Sequence, residues 1–173
     1  MYGSSGLVVP FGDANWYGDA SRLGRSEVTL PPYGSAIPYF QGIVATPDGG
    51  GYWLVGLDGG VFAYGDATYD GSMGGQRLNA PISGLASTPD GHGYWLVAYD
   101  GGVFSFGDAA FYGSMGGKPL NDIVIGIAAD PDGGGYWMAA MDGGVFAFGD
   151  APFLGSMGAS RLAQPISAIA AAL

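Results

Sequence analysis

Asp130-Pro131-Asp132-Gly133-Gly134-Gly135 sets two carboxylates two residues apart in a glycine-rich loop, a pattern that could wrap a hard cation such as calcium. A complete calcium site takes roughly six to eight oxygen ligands, and the distal Glu of an EF-hand loop is missing. The chain has fourteen Asp against one Glu (Glu27), and twelve of those Asp adjoin a Gly. Asp beside Gly accepts hydrogen bonds from turn amides, so turn chemistry is the primary expectation. No metal and no cofactor are expected, with structural calcium as the alternative.

Nucleophilic catalysis is hard to assemble from these residues. There is one histidine, His92, there is no Cys, and no Gly-x-Ser-x-Gly elbow occurs. A single His on a turn is expected to be solvated and inert. No glycine cluster runs into Gly-Lys-Ser/Thr, which removes a phosphate-binding loop. Paired carboxylates for glycoside hydrolysis depend on a separation that sequence does not display. The expectation is a protein that is not an enzyme.

Recognition chemistry is better represented. The five basic residues, Arg22, Arg25, Arg77, Lys118 and Arg161, stand against a net charge of −10 and form no stripe. That argues against a nucleic-acid partner, whose phosphates need concentrated positive charge. Arg22 and Arg25 share a stretch with Tyr33, Tyr39 and Phe40, and aromatics beside arginine are what recognition surfaces use. The longest apolar run, Ile169 to Leu173, is too short to cross a bilayer, so no membrane insertion is expected. Met1-Tyr2-Gly3-Ser4 does not read as a signal peptide, which leaves a non-secreted protein or a mature or excised domain.

These residues sit on a repeat. Aligning the chain on Gly-Asp-Ala sets Gly12, Gly65, Gly107 and Gly149 in register; the last three are 42 residues apart and the first interval is 53. Periods in the forties belong to propeller blades or to HEAT and armadillo helix pairs. Within Pro81–Gly117, Ile82 to Thr88 reads as strand A, Tyr94 to Tyr99 as strand B, Val103 to Phe106 as strand C and Phe111 to Ser114 as strand D. Gly/Asp turns separate them and leave no room for a helix. The expected fold is therefore an all-β propeller of four-stranded blades in one domain, residues 1–173.

Residues 166–173 align with strand A, while Met1 to Ser4 align with half of strand B and 6–19 with C and D. The two ends thus read as parts of one blade. The other blades span 41–75, 81–117 and 123–159, with an insertion at 20–40. Four blades closed by the C-terminal strand A pairing with the N-terminal strands would remove the open sheet edges. An eight-bladed ring of two chains and a fragment of a longer array are the alternatives. Gly42, Gly84, Gly126 and Ala168 recur in strand A, as close packing near an axis requires. Trp53, Trp95 and Trp137 alternate with Tyr52, Tyr94 and Tyr136 on strand B, one set for each neighbouring blade.

The GYWLV…DGGVFxFGDAxFxGSMG unit resembles tandem propeller repeats of secreted bacterial proteins, often found beside domains acting on cell walls or polysaccharides. Thr46 to Trp53 also resembles the Asp-box turn of sialidase-like propellers, with His92 and Asp130 departing from it in the later copies. This resemblance implies an extracellular or cell-surface location and a glycan or protein partner, with the Asp-box as a structural turn. It does not imply sialidase activity.

The repeat fails between Arg22 and Phe40, in the D-to-A connection, and Arg77, Lys118 and Arg161 lie in the corresponding connections. Arg22, Arg25, Tyr33, Tyr39, Phe40, Arg77, Lys118 and Arg161 are accordingly the expected ligand-binding residues, on a rim opposite the aspartate-bearing turns. A structural lid is the competing reading of the insertion, and Trp16 and Tyr17 are expected to support it. The functional expectation is a non-catalytic binding or adhesion module. The alternatives are a structural subunit of a homo-oligomer or filament, and a glycoside-processing enzyme; monomer and homo-oligomer stay undecided.

Overall fold

The computed structural model describes residues 5–29 and 36–171. The described residues are all-β apart from a single 3-10 turn at Ser21–Leu23. A short hairpin pairs β1 (Glu27–Thr29) with β2 (Ala36–Pro38). Three antiparallel three-stranded sheets follow in chain order: β3 (Phe40–Ala45), β4 (Gly51–Gly56) and β5 (Val61–Gly65); β6 (Ile82–Ser87), β7 (Gly93–Ala98) and β8 (Val103–Gly107); β9 (Val124–Ala129), β10 (Gly135–Ala140) and β11 (Val145–Gly149). The middle strand of each is the expected strand B.

Local chemistry builds the hairpins. At the A–B turn of the middle sheet, the Thr88 carbonyl accepts from Gly91 N–H at 3.0 Å and the Thr88 hydroxyl accepts from Gly93 N–H at 3.0 Å. The Asp90 carboxylate accepts from His92 N–H at 3.2 Å. At the B–C turn, Asp100 accepts from Gly102 N–H at 2.9 Å while Gly101 N–H donates to Ala98 O at 2.8 Å. These are the Asx-type turns expected of Asp beside Gly.

The sheets pack in sequence order through their first strands, with β6 lying against both β3 and β9. Small residues permit this approach: a Cβ at Gly84 would stand 3.6 Å from the Gly126 α-carbon. Between sheets, the Trp of one faces the Tyr of the next, at 5.8 Å for Trp53–Tyr94 and 5.4 Å for Trp95–Tyr136. Leu96, Val97, Ile82 and Val124 are sealed between the same layers, and burying each such aliphatic contributes about 1.5–3 kcal/mol. The aromatic alternation on strand B is therefore packing between sheets.

The expected fourth strand of each blade is corrected by the structure. The segments after Asp66, Asp108 and Asp150 join no ladder; side chains hold them instead. From within the unit, the indole N–H of Trp53, Trp95 and Trp137 donates to the carbonyls of Thr68, Ala110 and Pro152 at 2.7, 2.7 and 2.8 Å. From the following unit, the Tyr94 hydroxyl accepts from Asp70 N–H at 3.1 Å and donates to Gly71 O at 2.6 Å. Tyr52 holds Tyr17 and Gly18 in the same way, and Tyr136 holds Tyr112 and Gly113. With these amides and carbonyls satisfied by side chains, a ladder on strand C is not needed to pair them.

Ring closure is not detected among the described residues. Among the described residues no ladder joins 165–171 to 5–19, and Met1 to Ser4, the expected partner strand, lie outside the described residues. The Ile166 N–H does donate to Met141 O at 2.9 Å, as Ile82 does to Leu57 and Val124 to Tyr99, so the chain after Pro165 enters at the place of a strand A.

Candidate functional site

The hairpins divide the polar residues between two ends of the sheets. The A–B and C–D turns share one end, tied by Asp66 N–H to Gly50 O at 3.2 Å, Asp108 N–H to His92 O at 3.2 Å and Asp150 N–H to Gly134 O at 3.1 Å. Asp48, Asp90, Asp130 and Asp132 belong to the same end. The B–C turns and the connections between units share the other, tied by Met73 N–H to Gly59 O at 2.9 Å and its two repeats.

Arg77, Lys118 and Arg161 lie exposed in these connections, Arg77 and Arg161 just after the turns closed on Met73 and Met157 and Lys118 closing the turn on Met115. Lys118 turns back, its ammonium donating to Ser114 O at 3.0 Å. Arg22 is exposed on the 3-10 turn. Tyr33 lies outside the described residues.

Arg25, Tyr39 and Asp58 form one cluster. The Arg25 guanidinium donates to the Tyr39 hydroxyl at 2.6 Å and to the Asp58 carboxylate at 2.8 Å, and its Cζ stands 4.8 Å from the centre of the Tyr39 ring. The Tyr39 hydroxyl donates to Asp58 at 2.6 Å. Burial pushes the Tyr39 hydroxyl well above the usual tyrosine range and Asp58 adds to the effect, with Arg25 opposing. Desolvation is the largest single effect on the Asp58 carboxyl and raises it, but hydrogen bonds from Tyr39, Gly60 N–H and Arg25, with the Arg25 charge, together outweigh it and hold the group below its ordinary value.

Phe40 is buried at 1% exposure and Tyr39 at 3%, which commits both rings to packing against Phe62, Leu54 and Leu57. Phe40 pairs with Gly56 as Ile82 pairs with Ala98, so it opens strand A and is no part of an insertion. The 42-residue period contains this signal, since Phe40, Ile82, Val124 and Ile166 are equally spaced. Tyr17 also departs from expectation: its ring lies 5.8 Å from Tyr52 and its hydroxyl donates to Gly49 O, so it serves the following sheet and not the 20–40 segment.

Two features lie outside the expected ligand-binding residues. Trp16, Tyr69, Phe111 and Phe153 occupy equivalent places after the C–D turns and are 58, 60, 60 and 62% exposed. Trp53, Trp95 and the three tyrosines of strand B are explained by packing; these four are not. Further, Asp90, His92 and Asp108 come together, with one potential ligand atom from each lying within 4.8 Å of the others, and Asp130, Asp132 and Asp150 do the same one unit on. In the second group Asp132 also accepts from Gly134 N–H at 2.8 Å, which is turn duty.

No family model matches the chain, and no curated protein matches it. Solved structures similar to the chain include the following two. One is the β-propeller domain of Myceliophteria thermophila Cps50 (Swd1), 15% identical over 67% of this chain and 37% of that chain, with a TM-score of 0.47. The other is Kuenenia stuttgartiensis hydrazine synthase, 17% identical over 76% of this chain and 36% of that chain, with a TM-score of 0.48. The chain spans little more than a third of either protein.

Proposed function

We propose that the chain is a non-catalytic recognition module of propeller type, acting outside the cell on a cell-surface or cell-wall glycan or protein. The observation that carries this reading is the recurrence of a ring some 60% exposed at Trp16, Tyr69, Phe111 and Phe153. Scattered single apolar residues on a surface need no explanation. One ring per unit, always in the same place, presents a periodic set of flat apolar faces, suited to a ligand that itself repeats. Aromatic faces supply rigid contact area at little conformational cost. Because Tyr39 and Phe40 are spent on packing, this row supports ligand contact better than the 20–40 segment does, while Arg22, Arg77, Lys118 and Arg161 remain accessible on the other end.

The test is binding to a panel of cell-wall polysaccharides and glycan arrays by the parent and by Tyr69→Ala/Phe111→Ala. Loss of binding in the double variant, with an unchanged unfolding midpoint, supports the row. Undiminished binding by that variant, together with loss in Arg77→Ala/Lys118→Ala, would move the site to the basic end.

A second reading, self-association, is favoured by the large apolar side chains exposed on the two outer units: Leu7 and Phe11 at one side, Leu154 and Met157 at the other. Sedimentation across a concentration series separates the two readings, since a monomer at high concentration removes the second. The finer architecture, four blades closed by strand A of 166–173, belongs to the same proposal. A compact disc in solution scattering supports closure, and an open arc opposes it.

A further inference from the structure

The position of His92 sets one unit apart from its copies. The equivalent residues are Gly50 and Gly134, and there the following turn's carboxylate occupies the space a side chain would take: a Cβ built at Gly50 would meet Asp66, and one at Gly134 would meet Asp150, both at under 3 Å. In the middle unit an imidazole stands at that place, with Asp108 beside Gly93 as Asp66 is beside Gly51. His92, Asp90 and Asp108 thereby converge from two turns that the Asp108 N–H to His92 O bond fastens together at 3.2 Å.

Open hollows flank the cluster on two sides, Asp108 lining one, His92 the other and Asp90 both. Asp90 and Asp108 line a hollow of about 250 Å³ between this unit and the next, and Asp132 reaches the same hollow from the far side. On its other flank Asp90, with His92, borders a second hollow of about 200 Å³ that Asp48 and Asp66 also line. The His92 Nδ1 stands 3.3 Å from Asp90, and both side chains are more than half exposed, so the donors can close further without disturbing packed residues. The Thr88 hydroxyl donates to Asp90 at 2.7 Å and fixes its orientation.

We propose that Asp90, His92 and Asp108 form a surface site for a divalent transition metal of the zinc or nickel class, with water completing the coordination. One imidazole nitrogen and two carboxylate oxygens are donors that zinc accepts at about 2.0–2.2 Å. The imidazole is what selects the metal: calcium and magnesium take oxygen ligands, and the all-carboxylate group Asp130–Asp132–Asp150 lacks the nitrogen. The departure from an inert His and from a metal-free chain thus rests on one replaced glycine and the two carboxylates it meets.

The experiment uses the full chain, expressed without a histidine tag, titrated with Zn²⁺ alone by calorimetry and NMR. His92 is the only histidine, so its ring C–H signals report this site without ambiguity. The expected result is one saturable equivalent of Zn²⁺, with those ring signals shifting in step. His92→Gly, which recreates the residue of the sibling turns, and Asp108→Asn should each weaken binding by about tenfold or more. Excess Ca²⁺ should not compete. Undisturbed ring signals, equal affinity in His92→Gly, or two equivalents that both survive that substitution would overturn the assignment.

Discussion

The Tyr94 hydroxyl donates to the carbonyl of Gly71, 2.6 Å away and in the preceding unit, while accepting from the amide next to it. One side chain thus satisfies two backbone groups that a fourth strand would otherwise pair. Tyr94→Phe keeps the ring in its buried place and removes both bonds. Urea unfolding should show a loss of about 1–3 kcal/mol, because the Asp70 N–H and Gly71 O are left without their partner. A loss no greater than that of a surface Tyr69→Phe control would mean that the segment holds itself.

Burial pushes the Tyr94 hydroxyl up to about 12. A raised folded value means the native state favours the protonated phenol, so its contribution is fully present below the unfolded tyrosine value near about 10 and is lost as pH rises through the folded one. Parent protein should therefore lose stability between about pH 10 and 12. Tyr94→Phe should lose less over the same range, as read from unfolding midpoints along an alkaline series.

Gly113 and Gly155 are repeat equivalents with φ of +135° and +125°, yet a Cβ at Gly113 would meet the Phe148 ring at 2.7 Å and one at Gly155 would meet nothing within 4 Å. Both alanine variants carry the same backbone strain, about 1–3 kcal/mol. The difference between them isolates the clash with the ring of the next unit. Gly113→Ala should be the less stable of the two in thermal melts, and equal melting points would show that Phe148 yields without penalty.

Phe40→Ala should lower stability by about 3–5 kcal/mol, since it empties a site in contact with Tyr39 and Phe62. Arg25→Ala removes a pair whose side chains are 50% and 38% exposed, and should change stability by about 1 kcal/mol or less. Measured side by side, the two variants separate the packing role of this corner from any role of its charge in ligand binding.

At low pH the reporter is Asp90, held down to about 2 chiefly by the Thr88 hydroxyl, with help from the His92 backbone and side chain. A depressed folded value stabilises above the unfolded one, and that stabilisation is lost as pH falls through about 2. Thr88→Val deletes the largest contributor. Carboxyl-detected NMR titration should find Asp90 in that variant closer to its ordinary value of 3.8; an unmoved titration would assign the effect to the backbone amide instead.

The hairpins were legible in the sequence because their causes are local. Alternating apolar residues between Asp/Gly turns define β6, β7 and β8 to within a residue or two, and the 42-residue period repeats them. The same period also marked Phe40 as the counterpart of Ile82, although the aromatic and basic company of the 20–40 stretch suggested a ligand site. What sequence could not contain was the capture of one unit's backbone by another unit's tyrosine. Phe111–Ser114 has the composition of a strand, and whether it pairs with strand C or with the Tyr136 hydroxyl depends on where the next sheet packs. The burial of Tyr39 and the meeting of His92 with Asp108, sixteen positions away, are decided in the same manner. Turns and strand periods follow from neighbouring dihedrals and hydrogen bonds, whereas these contacts exist only once separate units are stacked.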